Sequence, residues 1–418
     1  MKVLWFETSI PSRYLNDGRV VMGWQDSLEE IVRNCENIEL VIAFEAPNGC
    51  VTKEIDGVLY VPIDIQYSSL EKRLSYYSWR IIESKLLPKC MEIISAVNPD
   101  IIHVFGNEWP FGLVGEKTEI PVVIHIQGSL IPYYNALYPP RYSVCTIIKS
   151  THFNPRKLYR LLQAGYKNKS RLEMEKRIWR CVDNYMGRTC WDKALCNTMV
   201  PNSTYYHVEE AIRSEFVDCR TPWQPKHRKS LKLITTGIHN FWKGPDMLLK
   251  TARILSEMGV DYEWNVAGAM HENIREATEM KEQLKFEDYN INLLGPVDAK
   301  TLQSYLLDCT MYVHTAYIEN SPNSICEAQL LGVPVVSTYV GGIDSLVRNN
   351  KDGLLVPAND PWRMADSIVQ LANNNEMMVA MAKSTYEFSH KRHDKKIILT
   401  QLLNCYNDIV RKNNESKN

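Results

Sequence analysis

Short β-rich runs alternate with helix-length stretches along this chain, and that alternation limits its fold more than any other feature. In the first half the candidate strands are 2–7 (KVLWFE), 38–44 (IELVIAF), 58–61, 100–104 (DIIHV) and 121–126 (PVVIHI). Helices are expected over 24–34, about 77–97, 170–181 and 203–215. In the second half strands are expected at 231–236, 262–267, 291–294, 310–313 and 333–338, with helices at 245–258, 299–307 and 322–331 between them. Strands separated by helices build βαβ units and parallel sheets. Helix 245–258 carries a core-facing stripe of Leu248, Leu249, Ala252, Leu255 and Met258, opened by Pro245 and closed by Gly259.

The 418 residues suffice for two or three domains with full cores. The stretch Cys219 to Arg228 contains two prolines and no periodicity, which marks it as a linker. Two doubly wound domains of roughly 200 residues each therefore fit better than one large sheet. A ligand is expected in a cleft facing the carboxyl ends of both sets of strands. The last residues, Lys412 to Asn418, read as disordered.

The segment Glu319 to Gly342 carries the strongest chemical signal. Glu319 and Glu327 are separated by seven residues. Ser321 is placed to cap a helix that begins at Pro322, Gly332 to end it, and Pro334 leads into the strand Val335-Val336-Ser337-Thr338. Free N–H groups at such a helix start suit a phosphate, and the carboxylates suit hydroxyls on either side. Phosphate plus hydroxyls describes a sugar nucleotide.

Other motifs fall where the same ligand would lie. Lys243-Gly244-Pro245 follows the strand 231–236 by a short loop, and a lysine beside a helix start can reach a diphosphate. Gly23-Trp24 follows a segment, Ser12 to Gly18, expected to be flexible, and a glycine there admits a ligand close to the backbone. His103 and His125 sit near strand ends. His125 is favoured, because Gln127-Gly128-Ser129 follows it in a turn. His390 and His393 have metal-like spacing, but the basic run around them reads as a solvated helix face.

The net charge of −1 argues against nucleic-acid binding. No run approaches the roughly 20 apolar residues that span a bilayer, and the opening Val3-Leu4-Trp5-Phe6-Glu7 reads as a first strand, not a signal peptide. With 11 cysteines and no C-x-x-C pair, reduced thiols and a cytoplasmic location are expected. No two aspartates are separated by a single residue, so the D-x-D pair that holds a metal–diphosphate is missing. No metal or cofactor is expected; Lys243 and helix dipoles would neutralise a diphosphate instead. Residues 141–180 hold eleven Lys or Arg against Glu173 and Glu175, with Tyr142, Phe153, Tyr159, Tyr166 and Trp179 interleaved. Such an insert suits an anionic membrane surface or a lipid-diphosphate acceptor.

Residues 319–342 closely resemble the motif of the retaining family-4 (group 1) glycosyltransferases, which have the GT-B fold: two Rossmann-like domains facing a central cleft. The motif pairs two glutamates at this spacing around S-P-x-S and E-A, then G-x-P-V-V and G-G. Trp242-Lys243-Gly244, Ala267-Gly268, Pro99 to His103, His125 and Gly23-Trp24 resemble further elements of the family. Gly187-Arg188-Thr189 with Trp191-Asp192 resembles a motif of bacterial polysaccharide transferases. The carboxyl-terminal helix, about 385–411, resembles one that crosses back onto the first domain. The resemblance implies an acceptor domain over 1–222 joined by 385–418, and a donor domain over 223–384.

By that resemblance Glu327 binds ribose hydroxyls and Glu319 the donor sugar. Asn320, Ser321, Pro322, Asn323 and Ser324 hold the diphosphate with Lys243; Gly244 and Gly268 line the donor, and His125 touches its sugar. The activity implied is metal-independent, retaining sugar transfer to a glycan or lipid-linked acceptor in surface polysaccharide synthesis, by a cytoplasmic enzyme that can be peripheral on the membrane. Many members carry an arginine where this chain has Ile238, so Arg188 or His239 is a possible compensating cation. A sugar-nucleotide epimerase is an alternative, but no added acid/base pair is identifiable. A non-catalytic binding homologue is another; Ile238 favours it, and the retained Glu319, Glu327 and Lys243 oppose it.

Overall fold

The computed structural model describes residues 1–15, 23–226 and 228–417. They divide into two compact units. The first comprises 1–131, 159–213 and 393–418, the second 132–158 and 214–392.

The first unit holds a sheet of eight strands: β1 (Lys2–Glu7), β2 (Glu39–Glu45), β3 (Lys53–Ile55), β4 (Val58–Ile63), β5 (Ile101–Phe105), β6 (Val122–His125), β7 (Asn184–Gly187) and β8 (Thr204–His207). Their order is β3-β4-β2-β1-β5-β6-β7-β8. Every pairing is parallel except that of β3 with β4. β5 and β6 are buried along their whole length, as strands covered on both faces must be. The carboxyl-terminal helix Lys395–Lys417 packs on this unit. Its buried Tyr406 hydroxyl accepts from Trp5 Nε1 at 3.0 Å and meets His103 Nδ1 at 2.6 Å. His103 is thereby a core residue.

The second unit holds β9 (Leu231–Thr236), β10 (Tyr262–Ala267), β11 (Ile291–Gly295), β12 (Met311–His314), β13 (Val335–Thr338) and β14 (Gly353–Val356), all parallel, in the order β11-β10-β9-β12-β13-β14. The chain runs outward from β9 in one direction and from β12 in the other. The crevice outside the carboxyl ends of β9 and β12 is therefore the topological switch point, where α/β sheets bind ligands.

Several expectations change. The stretch 203–215 is not a helix: Thr204–His207 is an edge strand in which Tyr205 pairs with Tyr185, as β-favouring tyrosines allow. The helix expected over 170–181 begins at Pro155. Met258 is an exposed C-cap outside the core stripe. The linker is docked: Trp223 is buried and donates from Nε1 to the Cys309 carbonyl at 2.7 Å. Arg228 and Lys226 pair with Asp308. The division accordingly falls at 213/214 and 392/393, not at 222/223 and 384/385. Residues 132–158 belong with the second unit, because Arg141 bonds Glu282 at 3.0 Å and Tyr142 packs on Phe241. Lys412 to Lys417 continue the last helix. His393 is buried, with Nδ1 3.0 Å from the Glu210 carbonyl, so it is not on a solvated face. Ser12–Leu15 is a short helix. The remainder of the Ser12–Gly18 segment, His227 and Asn418 lie outside the described residues. The cysteines are free thiols.

Candidate functional site

Two loops meet at the switch point of the second unit: residues 237–244, after β9, and 315–322, after β12. They are tied together by backbone. Tyr317 N donates to the Trp242 carbonyl at 2.6 Å, and Thr315 Oγ1 to the Lys243 carbonyl at 2.9 Å. Gly244 makes this approach possible. Its φ is +73°, and a Cβ there would lie 1.9 Å from the Thr315 carbonyl oxygen. It also caps the helix Pro245–Glu257, which leaves Lys243 at the rim of the crevice.

The loop after β12 ends in the helix Asn323–Leu330, with Pro322 as N-cap. The helix thus starts one residue later than expected, and Ser321 precedes the cap. No side-chain hydrogen bond from the cap residue closes this start. The helix closes as expected at Gly332 (φ +77°). There Gly332 N donates to the Gln329 carbonyl and Val333 N to that of Ala328. Gly341 (φ +53°) holds the other side: a Cβ would lie 1.8 Å from the Glu319 carbonyl oxygen, and Gly342 N donates to that oxygen at 3.0 Å.

Glu319 is 4% exposed and forms an ion pair with Lys243. Burial alone would raise its carboxyl pKa, but the Lys243 ammonium and the His314 ring, 3.6 Å away, bring it down to about 2. The carboxylate is therefore ionised across the physiological range. Glu327 and Asn320 are buried as well. His239 stands near Lys243 and Glu319, and burial followed by the Lys243 charge lowers its pKa. Gly268 (φ +97°) brings the end of β10 against Gly237, to whose N a Cβ would approach at 3.2 Å.

Tyr312 and His314 were not singled out in the sequence. The Tyr312 hydroxyl donates to Ser324 Oγ at 2.9 Å, lies 3.0 Å from Thr236 Oγ1 and 3.4 Å from His314 Nδ1. One buried hydroxyl thereby connects the end of β9, the start of the helix Asn323–Leu330 and the histidine beside Glu319. The available signal was their spacing: residues i and i+2 of a strand share a face. The expected strand stopped one residue short of His314.

The other candidates lie in the first unit. His125 is fully buried, 4.6 Å from the Trp24 ring, and burial with nearby His103 and Arg188 pushes its pKa well down. Gly23 caps the helix Trp24–Val32 at φ −108°, a conformation any residue adopts. The Arg188 guanidinium lies 4.5 Å from the Trp24 ring and 3.8 Å from Glu210, whose charge balances it. The Arg188-Thr189-x-x-Asp192 run makes a capping box. Asp192 accepts from Arg188 N and Thr189 N, and burial raises its pKa to about 6. Glu175, also not singled out, organises the turn after His125. It accepts from Asn107, from Ser129 and from the backbone of Leu130 and Ile131, at 2.7–3.1 Å.

Residues 230–374, which contain both crevice loops, match the model described as Glycosyl transferases group 1. That match falls within the second unit. A D-inositol 3-phosphate glycosyltransferase of Corynebacterium urealyticum is 31% identical over 147 residues, 34% of this chain and 34% of that protein. The putative colanic acid biosynthesis glycosyltransferase WcaL of Escherichia coli is 26% identical over 168 residues, 38% and 41% of the two chains. The chain thus matches well under half the length of either relative. Among solved structures, the sucrose-phosphate synthase of Thermosynechococcus elongatus is similar over 98% of this chain and 99% of its own, with TM-score 0.71 at 14% identity. Anabaena Alr3699/HepE, solved in complex with UDP and glucose, is similar over 97% and 98%, with TM-score 0.65 at 14% identity. The fold is that of the GT-B glycosyltransferases.

Proposed function

We propose that this chain is a retaining glycosyltransferase. It would move a sugar from a nucleotide-diphosphate sugar to a glycan or lipid-linked acceptor in surface polysaccharide synthesis, without a metal. The observation that carries the reading is the ion pair at the switch point: Lys243, after β9, holds ionised Glu319, on the loop that leads from β12 into the helix Asn323–Leu330. Lys243 and the N–H groups of Asn323 and Ser324 would receive the diphosphate, and Glu327 the ribose hydroxyls. Glu319, released from Lys243, would take the sugar hydroxyls. Catalysis in this scheme is stabilisation of a departing diphosphate in a preformed electrostatic site.

UDP in the HepE complexes supports a nucleoside diphosphate as the leaving group, and WcaL supports a glycan as product. A lipid-linked acceptor would bring the enzyme to a membrane face, where it would be peripheral; no helix of the described residues is long and apolar enough to cross one. Incubation with labelled UDP-, GDP- and ADP-sugars tests the proposal. Sugar release or transfer that keeps the anomeric configuration, in the presence of a chelator, is the expected result. An inverted product, or activity that the chelator abolishes, contradicts it.

A further inference from the structure

The basic, aromatic stretch 141–180 does not behave as one surface. Tyr142 and Trp179 are buried, Arg141 is bonded to Glu282, and Arg177 is held by Glu83 and Glu116. What faces outward is the first half of the helix Pro155–Cys181. Tyr159, Leu162 and Tyr166 are 54–65% exposed and follow an i, i+3, i+7 spacing, which puts them on one face. Beside them stands a second element not associated with them in the sequence. In the helix Ser69–Ser75 and just after it, Leu70, Leu74 and Tyr76 are 44–65% exposed.

The segment that follows the helix Ser69–Ser75 abuts the long helix within the first unit. The Tyr77 and Tyr159 hydroxyls meet, Trp79 N donates to Ser170 Oγ at 2.9 Å, and the Lys167 ammonium lies 5.2 Å from the Trp79 ring. Six large apolar side chains thus stand out on neighbouring helices, a grouping that soluble proteins leave exposed only for a partner.

Charge identifies the partner. Residues 69–77 and 159–170 contain Lys72, Arg73, Arg160, Lys167 and Lys169. Their one acid, Glu71, is paired with Lys85 at 2.8 Å. A second copy of so cationic a face would be repelled. An anionic lipid surface attracts it and receives the leucines and tyrosines at the boundary of headgroup and acyl chain.

We propose that the face built by Leu70, Leu74, Tyr76, Tyr159, Leu162 and Tyr166 is a docking surface for an anionic phospholipid bilayer. The Pro155–Cys181 helix lies along the interface, and the basic residues at its sides rest on phosphate headgroups. This inference is independent of the sugar-transfer reading.

The test is co-sedimentation of the full chain with phosphatidylcholine–phosphatidylglycerol vesicles and with pure phosphatidylcholine vesicles. The expected result is binding to the first and not the second. The double variant Leu162→Glu, Tyr166→Glu should lower partition by about tenfold or more while the melting temperature is unchanged. Lys72→Gln with Lys169→Gln should bind more weakly and lose its salt dependence. Failure of the wild type to bind, or a double variant that binds like wild type, overturns the proposal. A concentration-dependent dimer that Leu162→Glu abolishes, with no vesicle binding, also overturns it and assigns the face to a second copy.

Discussion

The Lys243 ammonium rests on the Glu319 carboxylate across 76 residues of sequence, between the loop after β9 and the loop after β12. Each group neutralises the other in a crevice that shields both from water. In the proposed scheme a diphosphate at the helix Asn323–Leu330 would compete with Glu319 for the lysine. The released carboxylate would then be available for the sugar, so one exchange of partners would prepare both ends of the donor site.

Lys243→Ala removes the cation that would meet the leaving phosphate and leaves Glu319 buried without its ion pair. We predict a loss of kcat/KM of about 100-fold or more, together with weaker nucleoside-diphosphate binding. Lys243→Arg should recover part of the affinity. Steady-state kinetics and calorimetric titration check both.

Glu319 also makes stability depend on pH. Its folded pKa, about 2, lies below the ordinary value of 4.5. Its contribution is therefore complete above pH 4.5 and is lost as pH falls toward about 2. A shift of this size corresponds to about 3 kcal/mol. The stability difference between wild type and Glu319→Gln should accordingly shrink between pH 5 and pH 3, about the range set by these values. Denaturant titrations across that range measure it; a difference that grows on acidification contradicts the assignment.

Tyr312→Phe deletes the hydroxyl that joins Thr236, Ser324 and His314. The ring remains, so the core should lose only about 1–2 kcal/mol. The kinetic loss should exceed this, with a raised donor KM, because the hydroxyl holds Ser324 at the helix start. His314→Gln should instead lower kcat and alter its pH profile, since the ring stands 3.6 Å from Glu319. Equal effects of the two variants on KM and kcat would argue against separate positioning roles.

Gly341 and Gly259 form a matched pair. Both have positive φ, but a Cβ at Gly259 meets nothing within 4 Å, whereas one at Gly341 strikes the Glu319 backbone. Gly259→Ala should cost only the left-handed strain, about 1 kcal/mol. Gly341→Ala should displace Glu319 and abolish turnover at a comparable or larger loss of stability. Thermal melts and activity assays of the two variants separate strain from displacement.

The sequence exposed the parallel cores well, because strands covered on both faces are written as unbroken apolar runs, as in Ile101–Phe105 and Val122–His125. It singled out Lys243 before one helix and Glu319 before another, and these two side chains are paired. It concealed short edge strands such as Thr204–His207, whose four residues define no period. The first half of the Pro155–Cys181 helix was hidden because it buries almost nothing, so no apolar stripe marks it. The excursion of 132–158 to the second unit rests on tertiary pairs such as Arg141 with Glu282, which no local pattern encodes. Tyr312 and His314 were hidden for the same reason, since a strand-end tyrosine and histidine acquire meaning only from what they touch.

The central claim is that the Lys243–Glu319 crevice receives a nucleoside diphosphate. Calorimetric titration of UDP, GDP and ADP into the wild type and into Lys243→Ala tests it most directly. The account predicts saturable binding of at least one of the three to the wild type, weakened about tenfold or more in the variant. Absence of binding by all three, or equal affinity in the two proteins, would contradict it.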